Sequence, residues 1–300
     1  MRIVFFGTPD FAVPSLDILN KSEHEIVAVV TAPDKERGRG RRVSYTPIKE
    51  YAIENNLKCL QTEKMKDETF IESLKEFEAD LFVIVAFRIL PRSVFTIPKF
   101  GSFNLHGSLL PKYRGAAPIH WAIMNGDKET GVTTFFLEDK VDTGNIISQS
   151  TMPIEDEDNL GTVHDKMSIL GSDLVLATVN KIEIGNVELQ KQNNELASPA
   201  PKISKELGEI DWTNSAEKIH NLVRGLSPFP SAYFIHNEKK YKIFKSRIVD
   251  DIQLNSGELK ESKNELFFGC SDKTLQIIEL QLEGRKRMSA DAFLRGYSLK

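Results

Sequence analysis

Asn104 and His106 stand two residues apart in the run Asn104-Leu105-His106-Gly107-Ser108-Leu109-Leu110-Pro111-Lys112-Tyr113-Arg114-Gly115, at the end of an apolar stretch that reads as a strand. Residues i and i+2 of a strand project from the same face, so the amide and the imidazole converge on one point. An amide donor and a titratable ring are the groups that steady a developing oxyanion and move a proton in acyl transfer. Asp142, in the loop Asp139-Lys140-Val141-Asp142-Thr143-Gly144, offers the carboxylate that completes such a site. Beside an imidazole it favours the protonated ring or selects its tautomer. Plainer readings exist: a lone His packs in a core, Asn caps a turn, and Asp-Thr-Gly is a common turn. Gly107, Pro111 and Gly115 weigh toward a site, because glycine admits close backbone approach and binding residues favour loops on a rigid scaffold.

The elements that must position these groups follow from hydrophobic patterning. Apolar runs at Ile3–Phe6, Ile26–Thr31, Leu81–Ala86, Phe103–His106 and Val132–Leu137 fit buried strands. Helical patterns cover Asp10–Asn20, Ala116–Asn125 and Leu160–Ile182, the last with Leu160, Val163, Met167, Leu170 and Leu174 at steps of three or four. The alternation predicts an α/β fold, a doubly wound, mostly parallel, Rossmann-like sheet whose site lies beyond the carboxyl ends of its strands. At 300 residues the chain exceeds one ordinary core. The predicted division is a catalytic domain over 1–184, a linker over 185–205 that includes Ser198-Pro199-Ala200-Pro201, and a small OB-like β-barrel over 206–300. In the last, short β-like segments at Ala232–His236, Tyr241–Ser246, Glu265–Cys270 and Thr274–Leu282 follow a helix over Ser215–Arg224, with Ser215 as its cap.

Charge excludes little and directs much. Thirty-nine Lys and Arg against 43 Asp and Glu leave a net charge of −4, so any nucleic-acid binding must come from local clusters. The long polar stretch Thr31–Arg42 carries five basic residues against two acidic ones. A solvated loop is its plain reading, but a pliable basic loop suits a phosphate-rich substrate, with Arg39 foremost and Arg41 and Arg42 in support. A second cluster lies on the predicted barrel: Lys239, Lys240, Lys242, Lys245 and Arg247, then Arg285, Lys286 and Arg287. Together these can follow a phosphate backbone without reading bases. Trp121 and Trp212 read as packing anchors. Cys59 and Cys270 have neither disulfide nor zinc spacing, which fits a reducing cytoplasm. The first residues lack the order of a secretory leader, and Leu81–Phe87 is too short to span a bilayer, so no membrane partner is expected. Gly7-Thr8-Pro9-Asp10-Phe11 follows the first strand without G-x-G-x-x-G, and Pro9 removes a donor. It reads as a turn shaping a substrate crevice, not a nicotinamide site.

The Asn104–Pro118 run, with Asp142-Thr143-Gly144, resembles the active-site signature of the folate-dependent formyltransferases, Asn-x-His-x-Ser-Leu-Leu-Pro and a later Asp-Thr-Gly. Within that family, Phe6–Phe11, Gly38-Arg39-Gly40, Glu129-Thr130-Gly131-Val132-Thr133, Ile210-Asp211-Trp212 and Arg287-Met288-Ser289-Ala290 are similar to the branch that acts on aminoacyl-tRNA. The resemblance implies formyl transfer from 10-formyltetrahydrofolate, with no metal, to the amino group of methionyl initiator tRNA. It implies catalytic Asn104, His106 and Asp142. It implies folate contacts at Phe87, Ile89, Leu90, Pro91, Ser108, Leu109, Leu110 and Pro111. The tRNA contacts it implies at Arg39, Arg41 and Arg42 are joined by the barrel cations Lys240, Lys245, Arg285 and Arg287. The chain is expected to be a cytoplasmic monomer. One segment departs from the family: Ala86-Phe87-Arg88-Ile89-Leu90-Pro91 is one residue shorter than Ala-Tyr-Gly-x-Ile-Leu-Pro and lacks its glycine. A sugar-nucleotide N-formyltransferase would use the same three residues. A formyltetrahydrofolate hydrolase would put water in place of the amine. A non-enzymatic RNA-binding module would explain only the basic clusters.

Overall fold

The structure is a computed structural model that describes residues 1–37 and 42–299, without the side chains of residues 36, 37, 42 and 43. The chain forms two compact units. The first comprises Met1–Gly115, Gly131–Met152 and His164–Pro199; the second comprises Ala116–Thr130, Pro153–Val163 and Ala200–Lys300. The helices in chain order are α1 (Val13–Asn20), α2 (Pro47–Glu54), α3 (Glu68–Lys75), α4 (Arg92–Phe95), α5 (Pro118–Met124), α6 (Leu160–Glu183), α7 (Ala216–Leu226) and α8 (Ala290–Leu294).

The first unit is built on β1 (Arg2–Gly7), β2 (Glu25–Thr31), β3 (Cys59–Gln61), β4 (Leu81–Val85), β5 (Ser102–His106), β6 (Glu129–Phe136) and β7 (Ile146–Pro153). Their order across the sheet is β7-β6-β5-β4-β1-β2-β3. β1 pairs in parallel with β2 and β4, β2 with β3, and β4 with β5. Ile3 to Phe6 of β1 and Leu81 to Val85 of β4 are all buried, as continuous apolar strands covered on both faces must be. The strand order reverses between β1 and β4, which places a crevice beyond their carboxyl ends. Caps and prolines set the helix starts. The Thr46 hydroxyl accepts from the Lys49 amide at α2, the Asp67 carboxylate caps α3, and Pro118 opens α5. The helix expected over Asp10–Asn20 begins as one 3-10 turn, Asp10–Ala12, and becomes α-helical only at Val13, with Pro14 in its first turn. The stretch expected as a loop after β2 contains a two-stranded ribbon, Lys35–Arg37 against Arg42–Ser44.

α6 packs directly behind the Asn104–His106 strand. A Cβ on Gly171 would lie 2.6 Å from Leu105 Cδ2, so the glycine lets helix and strand meet. Leu105 is 3% exposed, and strand alternation puts its neighbours Asn104 and His106 on the opposite face. β6 pairs with β5 in antiparallel fashion, Phe103 against Phe136 and His106 against Thr133. The carboxyl end of β6 therefore lies at the end of β5 away from His106.

The second unit holds a curled antiparallel sheet of β8 (Ala232–His236), β9 (Lys239–Val249), β10 (Leu259–Glu261), β11 (Leu266–Gly269) and β12 (Thr274–Leu282), ordered β8-β9-β12-β11-β10, with β13 (Met288–Ser289) on β12. Register shifts at Ile243/Lys245 and Lys245/Ser246 interrupt the β9–β12 pairing, and such bulges bend a strand. α7 starts on the expected cap: the Ser215 hydroxyl accepts from the Lys218 amide at 3.3 Å. Ile219, Val223 and Leu226 of α7 enter a core with Phe234, Ile243, Leu266, Phe268, Ile277 and Phe293. Trp212 stacks on Phe268 with ring centroids 4.3 Å apart, the packing role expected of it. α5 belongs to this unit because Gly225 of α7 admits it: a Cβ there would lie 2.5 Å from Met124 Cγ. Arg224 is buried, and its Nη1 donates to the carbonyls of Glu155, Asp156 and Asp158 at 3.0, 3.3 and 3.1 Å.

His220 lines a cavity of about 300 Å³ together with Arg224, Ser246, Arg247 and Lys273. Burial, reinforced by the nearby Arg224 charge, pushes its pKa from 6.5 down to about 4. The folded ring stays neutral where the unfolded chain takes up a proton. Stability present above about pH 6.5 is therefore lost as the pH falls toward about 4. His220→Gln is expected to flatten that part of the curve. Urea unfolding of both proteins at about pH 7 and about pH 4.5 checks it, and parallel losses in the two would refute it.

Candidate active site

β5 carries Asn104 and His106 to the carboxyl edge of the parallel strands, as its register with β4 requires, Ile84 facing Asn104 and Val85 facing Leu105. His106 is buried. Its Nε2 lies 2.8 Å from the Tyr113 carbonyl oxygen. That oxygen can only accept, so Nε2 carries the proton and donates. Nδ1 is then the nitrogen left for chemistry, and Asp142 Oδ2 lies 3.9 Å from it. The Asn104 side chain is half-buried, and among the described residues its amide has no hydrogen-bond partner. The structure thus brings all three expected catalytic residues together.

Asp142 reaches the site by an indirect route. Because β6 is antiparallel, the chain leaves it at the far end of β5, and residues 137–145 fold back. The turn is tight: a Cβ on Gly144 would lie 1.7 Å from the Phe136 carbonyl oxygen. Asp142 itself adopts φ +55°, a left-handed conformation that its short polar side chain tolerates. Its Oδ2 accepts from the Gly115 amide at 2.9 Å, and Gly115, at φ +124°, holds a backbone that favours glycine. The ring's orientation is set by Tyr113 and the carboxylate's by Gly115. Neither backbone group is visible in a sequence read by side chains.

The expected folate residues divide by environment. Ile89 is 74% exposed, while Leu90 is buried. Phe87 is half-buried, its ring edge-on to Phe6 at 5.6 Å. Ala86, the first residue of this segment, adopts φ +47°. Arg88, which the sequence offers as a charge at the rim, donates instead to the carbonyls of Thr62 and Glu63. Ser108 is fully buried with its hydroxyl donating to the Lys112 carbonyl at 2.6 Å, and Leu110 is also buried. Leu109 and Pro111 are half-buried. Thr133, part of the Gly131-Val132-Thr133 motif, pins this loop: its hydroxyl donates to the Ser108 carbonyl at 2.6 Å and accepts from the Leu110 amide at 3.1 Å.

The expected tRNA residues are scattered in state. Arg39 and Arg41 lie outside the described residues, as does the Arg42 side chain, although the Arg42 backbone pairs with Arg37. Lys240 Nζ sits 3.4 Å from the centre of the Tyr233 ring, and the Arg285 guanidinium 5.9 Å from that of Tyr297. Lys245 is ion-paired to Glu157 at 2.7 Å, and Arg287 grips Glu279 through two nitrogens while lying 4.3 Å over Phe244. Two of these four barrel cations are therefore already neutralised by acids. Cys59 and Cys270 are free thiols, and burial pushes Cys270 up to about 11.

A sequence model described as formyl transferase matches residues 1–179, and one described as formyl transferase, C-terminal domain, matches residues 202–298. The methionyl-tRNA formyltransferase of Bacteroides thetaiotaomicron is 46% identical over 310 residues, spanning 100% of this chain and 96% of that one. The chain belongs to the methionyl-tRNA formyltransferase family. A second family member, from Caldanaerobacter subterraneus, is 44% identical across 100% of this chain and 98% of its own. Solved structures share the fold at lower identity. The sugar 3N-formyl transferase WlaRD, solved with dTDP and 5-N-formyl-THF, superposes with a TM-score of 0.70 at 23% identity, covering 95% of this chain and 99% of its own. HypX from Aquifex aeolicus, solved with tetrahydrofolic acid, gives a TM-score of 0.68 at 18% identity, covering 98% of this chain and 47% of its own. Family membership makes the chain a transferase enzyme. Among the described residues no helix is long and apolar enough to cross a membrane.

Proposed function

We propose that Asn104, His106 and Asp142 transfer a formyl group from 10-formyltetrahydrofolate to the amino group of methionine esterified to initiator tRNA. One observation carries the reading: an unpartnered amide, a ring with one nitrogen open and a carboxylate converge at the end of β5. They do so in a chain similar along its whole length to methionyl-tRNA formyltransferases. The folate supplies the formyl group. The residues present fit it: beside the Asn104 amide, the end of β4 offers half-buried Phe87 and largely exposed Ile89, apolar surface next to a convergent polar group. Leu90 and Pro91 support that wall. Half-buried Leu109 and Pro111, beside buried Ser108 and Leu110, supply the remaining contacts of this reading.

The Asn104 amide donates to the formyl oxygen as that oxygen gains charge. Nδ1 of His106, once protonated, is the second donor. Asp142, 3.9 Å from it, helps to take the proton that the attacking amine sheds. Arg39, Arg41 and Arg42 engage the acceptor arm, and Lys240 and Arg285, stacked on tyrosines, are the barrel cations open to phosphate. Lys245 and Arg287 join them only by exchanging their acid partners.

Purified protein incubated with 10-formyltetrahydrofolate and methionyl initiator tRNA should yield formyl-methionyl-tRNA, with the methionyl elongator tRNA left largely unmodified. Rising salt should weaken tRNA binding with a slope set by the phosphates contacted. Formylation of an amino-sugar nucleotide in place of the tRNA would overturn the reading.

A further inference from the structure

We propose that Gln192, in the segment read from sequence as a linker, is a positioning residue for formyl transfer. It acts by holding the Asp142 turn, so the inference rests on the role given to Asp142 above. Gln192 is 6% exposed, and its amide uses its full hydrogen-bonding capacity. Nε2 donates to the carbonyls of Asp142 and Gly144 at 3.0 and 2.8 Å. Oε1 accepts from Arg114 Nε and Nη2 at 3.0 and 2.6 Å.

One carbonyl belongs to the strained residue, Asp142, and the other to Gly144 two residues on. A non-glycine residue at φ +55° stays there only where its surroundings over-determine it. Two bonds do so here. Gln192 fixes the backbone of Asp142, and the Gly115 amide fixes its carboxylate at 2.9 Å. The Gln192 amide links them, since the Arg114 it grips is the residue before Gly115. The same short segment also serves His106. Ser198 accepts from the Tyr113 amide through its hydroxyl and from the Arg114 amide through its carbonyl, both at 2.9 Å, and Tyr113 is the residue whose carbonyl orients the ring. Gln190 and Ile146 exchange two backbone bonds at 2.8 and 2.9 Å, which anchors the segment's other end.

The chemistry explains the residue type. The position needs two donors for two carbonyls and an acceptor for a guanidinium on one planar group, which among side chains is an amide. Glutamate would face two carbonyls with no donor. A cation would meet Arg114. An apolar isostere would leave buried polar groups without partners. Gln192 touches no reacting atom, so its loss should appear in kcat with substrate affinity kept.

The test is a double-mutant cycle in the full chain, using Gln192→Met, Gln192→Glu, Asp142→Asn and Gln192→Met combined with Asp142→Asn. Gln192→Met is expected to lower kcat about tenfold to a hundredfold, as small misplacements of a catalytic group do, with both KM values unchanged. In the Asp142→Asn background the same substitution should add nothing. Gln192→Glu keeps the Arg114 partner and should show the same loss, which guards against a Met variant that fails to fold. Wild-type kcat in a folded Gln192 variant, or an equal loss with and without Asp142, would overturn the proposal. Wild-type kcat in Asp142→Asn would overturn the role of Asp142 itself, and Gln192's with it; a crippled Asp142→Asn beside intact Gln192 variants would overturn Gln192 alone.

Discussion

Asn104→Ala and His106→Ala are each expected to lower kcat for formyl transfer by about a hundredfold or more, while the protein stays folded and still binds tRNA. The Asn104 amide is unpartnered among the described residues, and the packing on α6 is made by its neighbour Leu105. Its whole effect should therefore lie in the step where the formyl oxygen gains charge. One donor aimed at such an oxygen is worth about 3 kcal/mol. His106→Ala also removes the hydrogen bond to the Tyr113 carbonyl, so a stability loss of about 1 kcal/mol should accompany it. Single-turnover formylation with saturating substrates, alongside thermal melts, separates the two effects. Near-wild-type turnover in both variants would remove the site from its proposed place.

Gly144→Ala is the second large effect expected, and its cause is steric. The added methyl would stand 1.7 Å from the Phe136 carbonyl oxygen and 2.9 Å from its carbon. Both are backbone atoms at the end of a paired strand, so no side-chain rotation relieves the clash. Either β6 or the loop must move. The expected cost is about 1–3 kcal/mol of stability and, because Asp142 lies two residues away, a fall in kcat of about a hundredfold. Gly296→Ala is the control, since its added Cβ meets nothing within 4 Å. A Gly144→Ala protein that melts and turns over like that control would show that the turn yields freely.

Much of the site was legible in the sequence because the relevant spacing is local. Strand periodicity alone puts Asn104 and His106 on one face, and the burial of Leu105 against α6 bears that out. The cap at Ser215, the apolar strands β1 and β4, and the packing role of Trp212 were legible for the same reason: each depends on a few adjacent residues. The sequence offers Asp142 from a loop but not the route it takes: it arrives by a turn back from an antiparallel strand, where Gly144 meets the Phe136 carbonyl closely. Strand direction is a pairing property, and the apolar run Val132–Leu137 reads the same in either orientation.

What the sequence by itself determined is the family, the strand that bears the amide and the imidazole, and the chemistry those groups support. These rest on residue type and short-range period. The tertiary structure alone decided which ring nitrogen is free, since that depends on a carbonyl seven residues away. It decided that Lys245 and Arg287 are already paired to acids, and that the segment around Gln192 is bonded into the site. Each of these is a hydrogen bond or ion pair to a backbone group or a distant partner, and backbone groups are identical at every position of a sequence until the fold chooses among them.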